Sequence, residues 1–146
     1  MSKYPTPRKY FPKQPEKYLG DVNNIISRSS WELKFMIWAD NNPAIVKWNS
    51  EDLIVPYICG TDNKPHRYHL DFWMQVKTSS GIIKTHIVEI KPEAQTIMPK
   101  FPGKQTRRYI TESMTYVKNQ SKWKAATEYA RQRGWEFTIL TEKHLF

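Results

Sequence analysis

Two β-rich runs joined by Ser79-Ser80-Gly81 constrain this chain more than any other feature. The first spans residues 67–76 and carries a lone acid, Asp71; the second spans 82–91 and ends in Glu89-Ile-Lys91. Ser-Ser-Gly is a turn signal between segments of high β propensity, so the runs should form an antiparallel hairpin. With a three-residue loop, Thr78 faces Ile82 and Asp71 faces Glu89. With a two-residue Ser80-Gly81 loop the register slips by one, and the acids part to opposite faces unless a bulge intervenes. In the first register two carboxylates oppose one another. Lys91, two residues beyond Glu89, shares their face, while Ile90 points the other way. Opposed like charges destabilise a sheet, so the pair calls for a compensating cation. A hard divalent ion bound through oxygen fits.

Glu-x-Lys alone is common on solvated strands, and the surrounding residues set this one apart. Ile87, Val88 and Ile90 make the strand apolar on both faces. Such a strand belongs at the centre of a sheet covered by helices. Charges at its end are costly unless paired or metal-bound.

At 146 residues the chain suits one domain, and 23 Lys+Arg against 14 Asp+Glu give a net charge of +9 that favours a polyanionic partner, nucleic acid ahead of membrane. No run has the length of a transmembrane helix, and no secretory leader is evident. Cys59 is the sole cysteine. That rules out a disulfide framework and a multi-cysteine zinc cluster, and fits a reducing compartment.

Residues 1–20 hold four prolines and the cations Lys3, Arg8, Lys9, Lys13 and Lys17 against Glu16. They read as an extended basic arm ahead of a single domain at 21–146. The arm either tracks phosphates or a partner subunit, or lies over the domain as an aromatic-anchored tail. A helix is expected after caps at Ser27, Ser29 or Ser30, with a Trp31, Phe35, Trp38 stripe and a stop at Asn41-Asn42-Pro43. Glu32 sits in its first turn, where an acid complements the helix dipole. Strands are expected at 44–48, 53–59, 67–76 and 82–91, and an irregular loop at 92–104. Two helices follow at 105–118 and 122–133, split by caps at Asn119 or Ser121, then a strand at 135–141. This order suggests a mixed sheet with helices on both faces.

The order of elements, with Glu32 on a helix, then Asp71, then Glu89-x-Lys91, resembles the PD-(D/E)xK, or restriction-endonuclease-like, nuclease superfamily. Leu70 stands where the motif has proline. Within it, residues 30–142 are similar to the endonuclease subunit of heteromeric transposases and to head-completion nucleases of tailed phages. The matching stretches are Ser-Trp-Glu32, Tyr68-His-Leu-Asp71-Phe, Val88-Glu-Ile-Lys91-Pro, Lys122-Trp-Lys-Ala-Ala126 and Gly134-Trp-Glu-Phe-Thr-Ile-Leu-Thr-Glu142. The resemblance implies an α/β fold with a central mixed sheet and a metal-dependent DNA endonuclease activity, in phage head completion or DNA-end processing. Its rivals are a non-catalytic head-completion protein that binds DNA or the portal, and a transposon-end or junction nuclease. Carried over by residue, Asp71, Glu89 and the Ile90 carbonyl would hold Mg²⁺, with Mn²⁺ able to replace it. Glu32 would add a carboxylate, and Lys91 would orient the attacking water and offset charge on the phosphorane. Double-stranded DNA is the implied partner, with phage head or portal proteins reached through the arm. The implied setting is the host cytoplasm or the virion.

Further positions are expected to assist. Lys100, Lys104, Arg107 and Arg108 follow the site and would meet flanking phosphates. Gln105 and Tyr109 fall at i and i+4 of an expected helix, a spacing found near the active site in some nucleases of the superfamily. By strand alternation His69 shares a face with Asp71.

Overall fold

The hairpin takes the three-residue-loop register. In the computed structural model, which describes residues 7–145, strands β6 (Phe72–Lys77) and β7 (Ile83–Ile90) pair antiparallel, with Phe72 opposite Val88 and Lys77 opposite Ile83. Thr78 donates its N–H to the Ile82 carbonyl at 2.8 Å. Gly81 closes the turn at φ +86°, a left-handed conformation that suits glycine.

Around this hairpin lies a four-stranded mixed sheet of order β3-β6-β7-β8. Strand β3 (Ile45–Ser50) pairs antiparallel with β6, and β8 (Glu136–Leu140) pairs parallel with β7. The other strands form separate pairs, β1 (Arg8–Lys9) with β2 (Ile26–Ser27), and β4 (Ile54–Ile58) with β5 (Pro65–His69). Helix α1 (Ser30–Asn41) covers one face: Phe35, Met36 and Ala39 pack with Phe72, Met74 and Val88. Helix α2 (Arg107–Gln132) covers the other. Its Trp123, Ala126 and Ala130 pack with Ile87 and with Val55, Tyr57 and Tyr68 of the β4–β5 hairpin. A short α3 (Glu142–Leu145) ends the described chain. The mixed sheet between helices is the architecture expected from the sequence.

Three local expectations are corrected. Residues 67–76 are not one strand: the ladder stops at His69 and restarts at Phe72 in a different sheet, leaving Leu70 and Asp71 between. The helices expected at 105–118 and 122–133 are one 26-residue helix. Asn119 does not cap it; at 3 % exposure it extends the buried Trp123, Ala126, Ala130 stripe by one turn. Ser121 turns its hydroxyl back on the Val117 carbonyl and accepts the Gly60 N–H, so tertiary contacts carry the helix through. The expected loop after β7 includes a 3₁₀ turn, Glu93–Thr96.

From residue 7 onward, the segment expected to be an arm is part of the fold. Tyr18 stacks edge-on against the buried Trp48, ring centroids 4.8 Å apart. The Asp40 carboxylate accepts from Tyr10 Oη (2.7 Å) and from the N–H groups of Lys13 (2.7 Å) and Gln14 (3.0 Å). Burial raises that carboxyl, but the three hydrogen bonds outweigh burial and hold it below the usual range. Lys17 Nζ reaches the Ala39, Asp40 and Asn42 carbonyls at the C-terminal end of α1, where a cation offsets the helix dipole. Residues 7–20 thus lie over the domain as an aromatic-anchored tail, the second of the two readings; residues 1–6 lie outside the described part. Asp40→Ala would strand three donors and remove a favourable charge near the Lys17 ammonium, which keeps its three backbone carbonyls. It is expected to cost roughly 3 kcal/mol, read as a lower urea midpoint; an unchanged midpoint would refute the staple.

Candidate active site

The break at Leu70-Asp71 is what builds the site. Freed from the ladder, Asp71 turns its carboxylate onto the end of β7 and accepts the Ile90 N–H at 2.8 Å. Its own carbonyl accepts the Glu51 N–H at 3.1 Å, tying it to the turn after β3. Glu89 lies on the neighbouring strand, 6 % exposed, and the hairpin register brings it to Asp71. Lys91 completes the motif, its Nζ 3.7 Å from Glu89 Oε1. Its N–H reaches the Leu140 carbonyl of β8 at 3.0 Å, which anchors the strand end.

Glu32 joins from α1. Ser29 caps that helix by accepting the Glu32 N–H at 3.1 Å. This fixes the first turn, and the carboxyl feels the charge of Asp71.

The electrostatics are those of acids crowded without enough positive charge. Burial, reinforced by the Asp71 charge and only partly relieved by Lys91, pushes Glu89 up to about 8. Burial likewise raises Asp71, although the Ile90 N–H and Lys91 oppose it. Glu32 is pushed up to about 7 by burial and then by Asp71. Two carboxylate oxygens, Glu32 Oε1 and Glu89 Oε2, are buried with no hydrogen-bond partner. Unpartnered buried oxygens are costly. A hard divalent cation held by Asp71 and Glu89 would satisfy Glu89 Oε2 and reverse the shifts of that pair, so these two carboxylates fit such an ion.

Other neighbours join the site only through the fold. Tyr68 of β5 buries its hydroxyl beside Glu89, near enough to feel that charge but without an aligned hydrogen bond. Lys122 of α2 stands over the Tyr68 ring, 5.3 Å from its centroid. Burial and then Lys91 lower its pKa, while Glu89 and Asp71 raise it, so its ammonium shares the field of the site. Glu51 sits at φ +57° and binds Arg28 at 2.6 Å. A non-glycine residue there is strained, and strain clusters at functional sites. Signals existed in Tyr68-His-Leu-Asp71 and Lys122-Trp, but only the fold brings them together.

The remaining expected residues fall elsewhere. Lys100, Lys104, Arg107 and Arg108 are exposed on the loop before α2 and its first turn. Arg108 pairs with Glu112 at 2.8 Å, a solvent-exposed contact too weak to withhold it from a phosphate. Gln105 and Tyr109 are not an i, i+4 pair. Thr106 is the N-cap of α2, so Gln105 precedes the helix, and the Tyr109 ring packs edge-on against Phe101 at 5.3 Å. His69 does not share a sheet face with Asp71: it is exposed, pairs with Ile54 in the β4–β5 hairpin, and the alternation argument stops at the break.

A family model described as TnsA-like endonuclease N terminal matches residues 42–142, which include Asp71, Glu89, Lys91 and Lys122 but begin after Glu32. The chain is also 43 % identical over 141 residues to a head completion nuclease of Enterobacteria phage T4, covering 94 % of this chain and 91 % of that protein.

Proposed function

The chain belongs to the TnsA-like endonuclease N-terminal family, and on that premise we propose that it is a divalent-metal-dependent DNA endonuclease of phage head completion, with its site at Asp71, Glu89, Lys91 and Glu32. The observation that carries the proposal is the set of buried carboxylates with raised pKa values and two unpartnered oxygens, beside Lys91 and within the field of Lys122.

Asp71, Glu89 and the Ile90 carbonyl would hold Mg²⁺, with Mn²⁺ able to replace it, and Glu32 would add a further oxygen. When bound, the ion supplies Lewis acidity at the scissile phosphate. The chain's own groups do the rest. Lys91, kept close to Glu89, orients the attacking water and offsets charge that grows on the phosphorane. Lys122 approaches from α2 and holds a phosphate oxygen. Tyr68 walls the base of the site and keeps bulk water from Glu89.

Exposed Lys100, Lys104, Arg107 and Arg108 would grip flanking phosphates of double-stranded DNA. Tyr10, Lys17 and Tyr18 are committed to packing. The outward Arg8, Lys9, Phe11 and Lys13 therefore remain for a head or portal protein. Among the described residues no helix is long and apolar enough to cross a membrane. The host cytoplasm is proposed as the setting from the likeness to a phage head completion nuclease.

The test is incubation of supercoiled and linear DNA with the protein in Mg²⁺ or EDTA, beside Asp71→Ala. Nicking confined to the unsubstituted protein in Mg²⁺ is expected. Cleavage that survives EDTA or the substitution would overturn the assignment, and DNA binding with no cleavage would favour a non-catalytic head-completion role.

A further inference from the structure

Away from the carboxylate cluster, the loop joining β4 to β5 gathers three donors of different chemistry. One ligating atom each from Cys59, Asp62 and His66 lies within 4.8 Å of the others. On an ion with bonds of about 2.0–2.3 Å, tetrahedral donors sit roughly 3.3–3.8 Å apart, so only a small contraction is needed.

The loop is already folded to hold them. The Cys59 backbone is bonded on both sides across it, its N–H donating to the Lys64 carbonyl (3.0 Å) and its carbonyl accepting from the Asn63 N–H (2.7 Å). Asp62 accepts the Lys64 N–H at 2.9 Å and contacts His66 Nε2 at 2.8 Å. The His66 ring stacks on Tyr57, centroids 5.6 Å apart, which limits its rotation. Thr61 Oγ1 lies 3.0 Å from the Cys59 sulfur. Cys59 packs in the core on one side and has the Asp62 and His66 ligand atoms within 4.8 Å on the other.

We propose that Cys59, Asp62 and His66 form a second metal site, for a borderline transition ion of which Zn²⁺ is the natural occupant. Sulfur, imidazole and carboxylate together select Zn²⁺ over Mg²⁺ or Ca²⁺, which take oxygen. On binding, the Cys59 thiol releases its proton to solvent, and His66 Nε2 exchanges its contact with Asp62 for the ion as the neutral imidazole. The thiolate and carboxylate then offset the dication. A water fills the fourth position on the solvent side.

The ion would act as a clip. The loop meets α2 at Gly60, whose N–H binds Ser121 Oγ at 3.0 Å and where an added Cβ would press on the Val117 and Ser121 side chains at 3.0 and 3.2 Å. The next residue of α2 is Lys122, and β5 carries Tyr68 against Glu89. Fixing the loop fixes both relative to the carboxylates. The inference does not depend on nuclease activity.

The full chain is loaded with Zn²⁺ or Co²⁺ in Mg²⁺ buffer, and bound metal is counted beside Cys59→Ser, Asp62→Asn, His66→Ala and Glu89→Gln. One Zn²⁺ per chain at micromolar free metal is expected, retained by Glu89→Gln and lost from the three loop variants. Co²⁺ should show a near-ultraviolet thiolate charge-transfer band that Cys59→Ser abolishes. Zn²⁺ should raise the thermal midpoint of the unsubstituted protein but not of His66→Ala. Should Cys59→Ser fail to fold, the two exposed-side variants decide the matter. Zn²⁺ bound equally by all loop variants, lost from Glu89→Gln instead, or bound only at millimolar metal overturns the site.

Discussion

Glu89→Gln is expected to abolish cleavage and, in EDTA at alkaline pH, to make the protein more stable than the unsubstituted chain. Both effects have one cause. The Glu89 carboxyl is buried, crowded by Asp71 and pushed up to about 8. In the unfolded chain it titrates near the ordinary glutamate value, so between those values the folded state binds the extra proton. Stability therefore falls as pH rises through that window. The contribution is fully present below the unfolded pKa and lost as pH passes the folded one. Glutamine removes the titration while keeping the size, and its gain at pH 9 in EDTA is on the order of 2 kcal/mol. Cleavage, by contrast, loses an anionic donor for the ion and should fall by about 10³-fold or more, some 4 kcal/mol of barrier. Urea midpoints at pH 6 and pH 9, in EDTA and in Mg²⁺, separate the terms. The unsubstituted chain should lose stability with pH in EDTA and recover it in Mg²⁺, and Glu89→Gln should do both more weakly, since only Asp71 and Glu32 then titrate from raised values. A flat EDTA profile for the unsubstituted chain would show that the carboxylates are not crowded as described.

The same residues show what a sequence can convey. Strand alternation and one turn tripeptide were enough to put Glu89 and Lys91 on one face and to bring Asp71 opposite, because a hairpin register is a local property of loop length. The Asp71 strand was drawn too long for the same reason. Residues 67–76 are rich in β-prone types, and Asp71 alone is a weak local mark of the point where the chain leaves one sheet for another. The contacts that end β5 are long-range, Leu70 N–H to the Leu53 carbonyl and Glu51 N–H to the Asp71 carbonyl. Asn119 and Ser121 misled in the opposite sense. Both favour helix ends by propensity, yet burial of Asn119 and the Gly60–Ser121 contact override it. Lys122 was hard to place because its role depends on the angle at which α2 crosses the sheet. Counting cysteines excluded a multi-cysteine cluster but could not reveal a mixed donor set, since Cys59, Asp62 and His66 become a group only once their loop is folded.

Lys91→Ala is expected to separate two roles that the geometry leaves superimposed. At 3.7 Å from Glu89 Oε1, the ammonium lowers the Glu89 pKa, and it also stands where a lysine can orient water and meet phosphorane charge. Removing it must raise the Glu89 pKa further. Metal binding at a fixed pH should then weaken, and the pH–rate curve should move to higher pH. If tuning the carboxylate were the whole role, saturating Mg²⁺ at pH 9 would restore the rate. If Lys91 acts on the water and the phosphorane, kcat stays depressed by about 10²–10³-fold under those conditions, the scale of losing one preorganised donor to developing charge. The second outcome is expected, with Mg²⁺ still protecting the variant against urea. Lys122→Ala provides the contrast. Acting on a phosphate oxygen from α2, it should raise KM for DNA more than it lowers kcat, and should leave the pH profile near its original position. Full recovery of Lys91→Ala at high pH and high Mg²⁺ would reduce Lys91 to an electrostatic neighbour of Glu89 and shift the burden of charge stabilisation to Lys122.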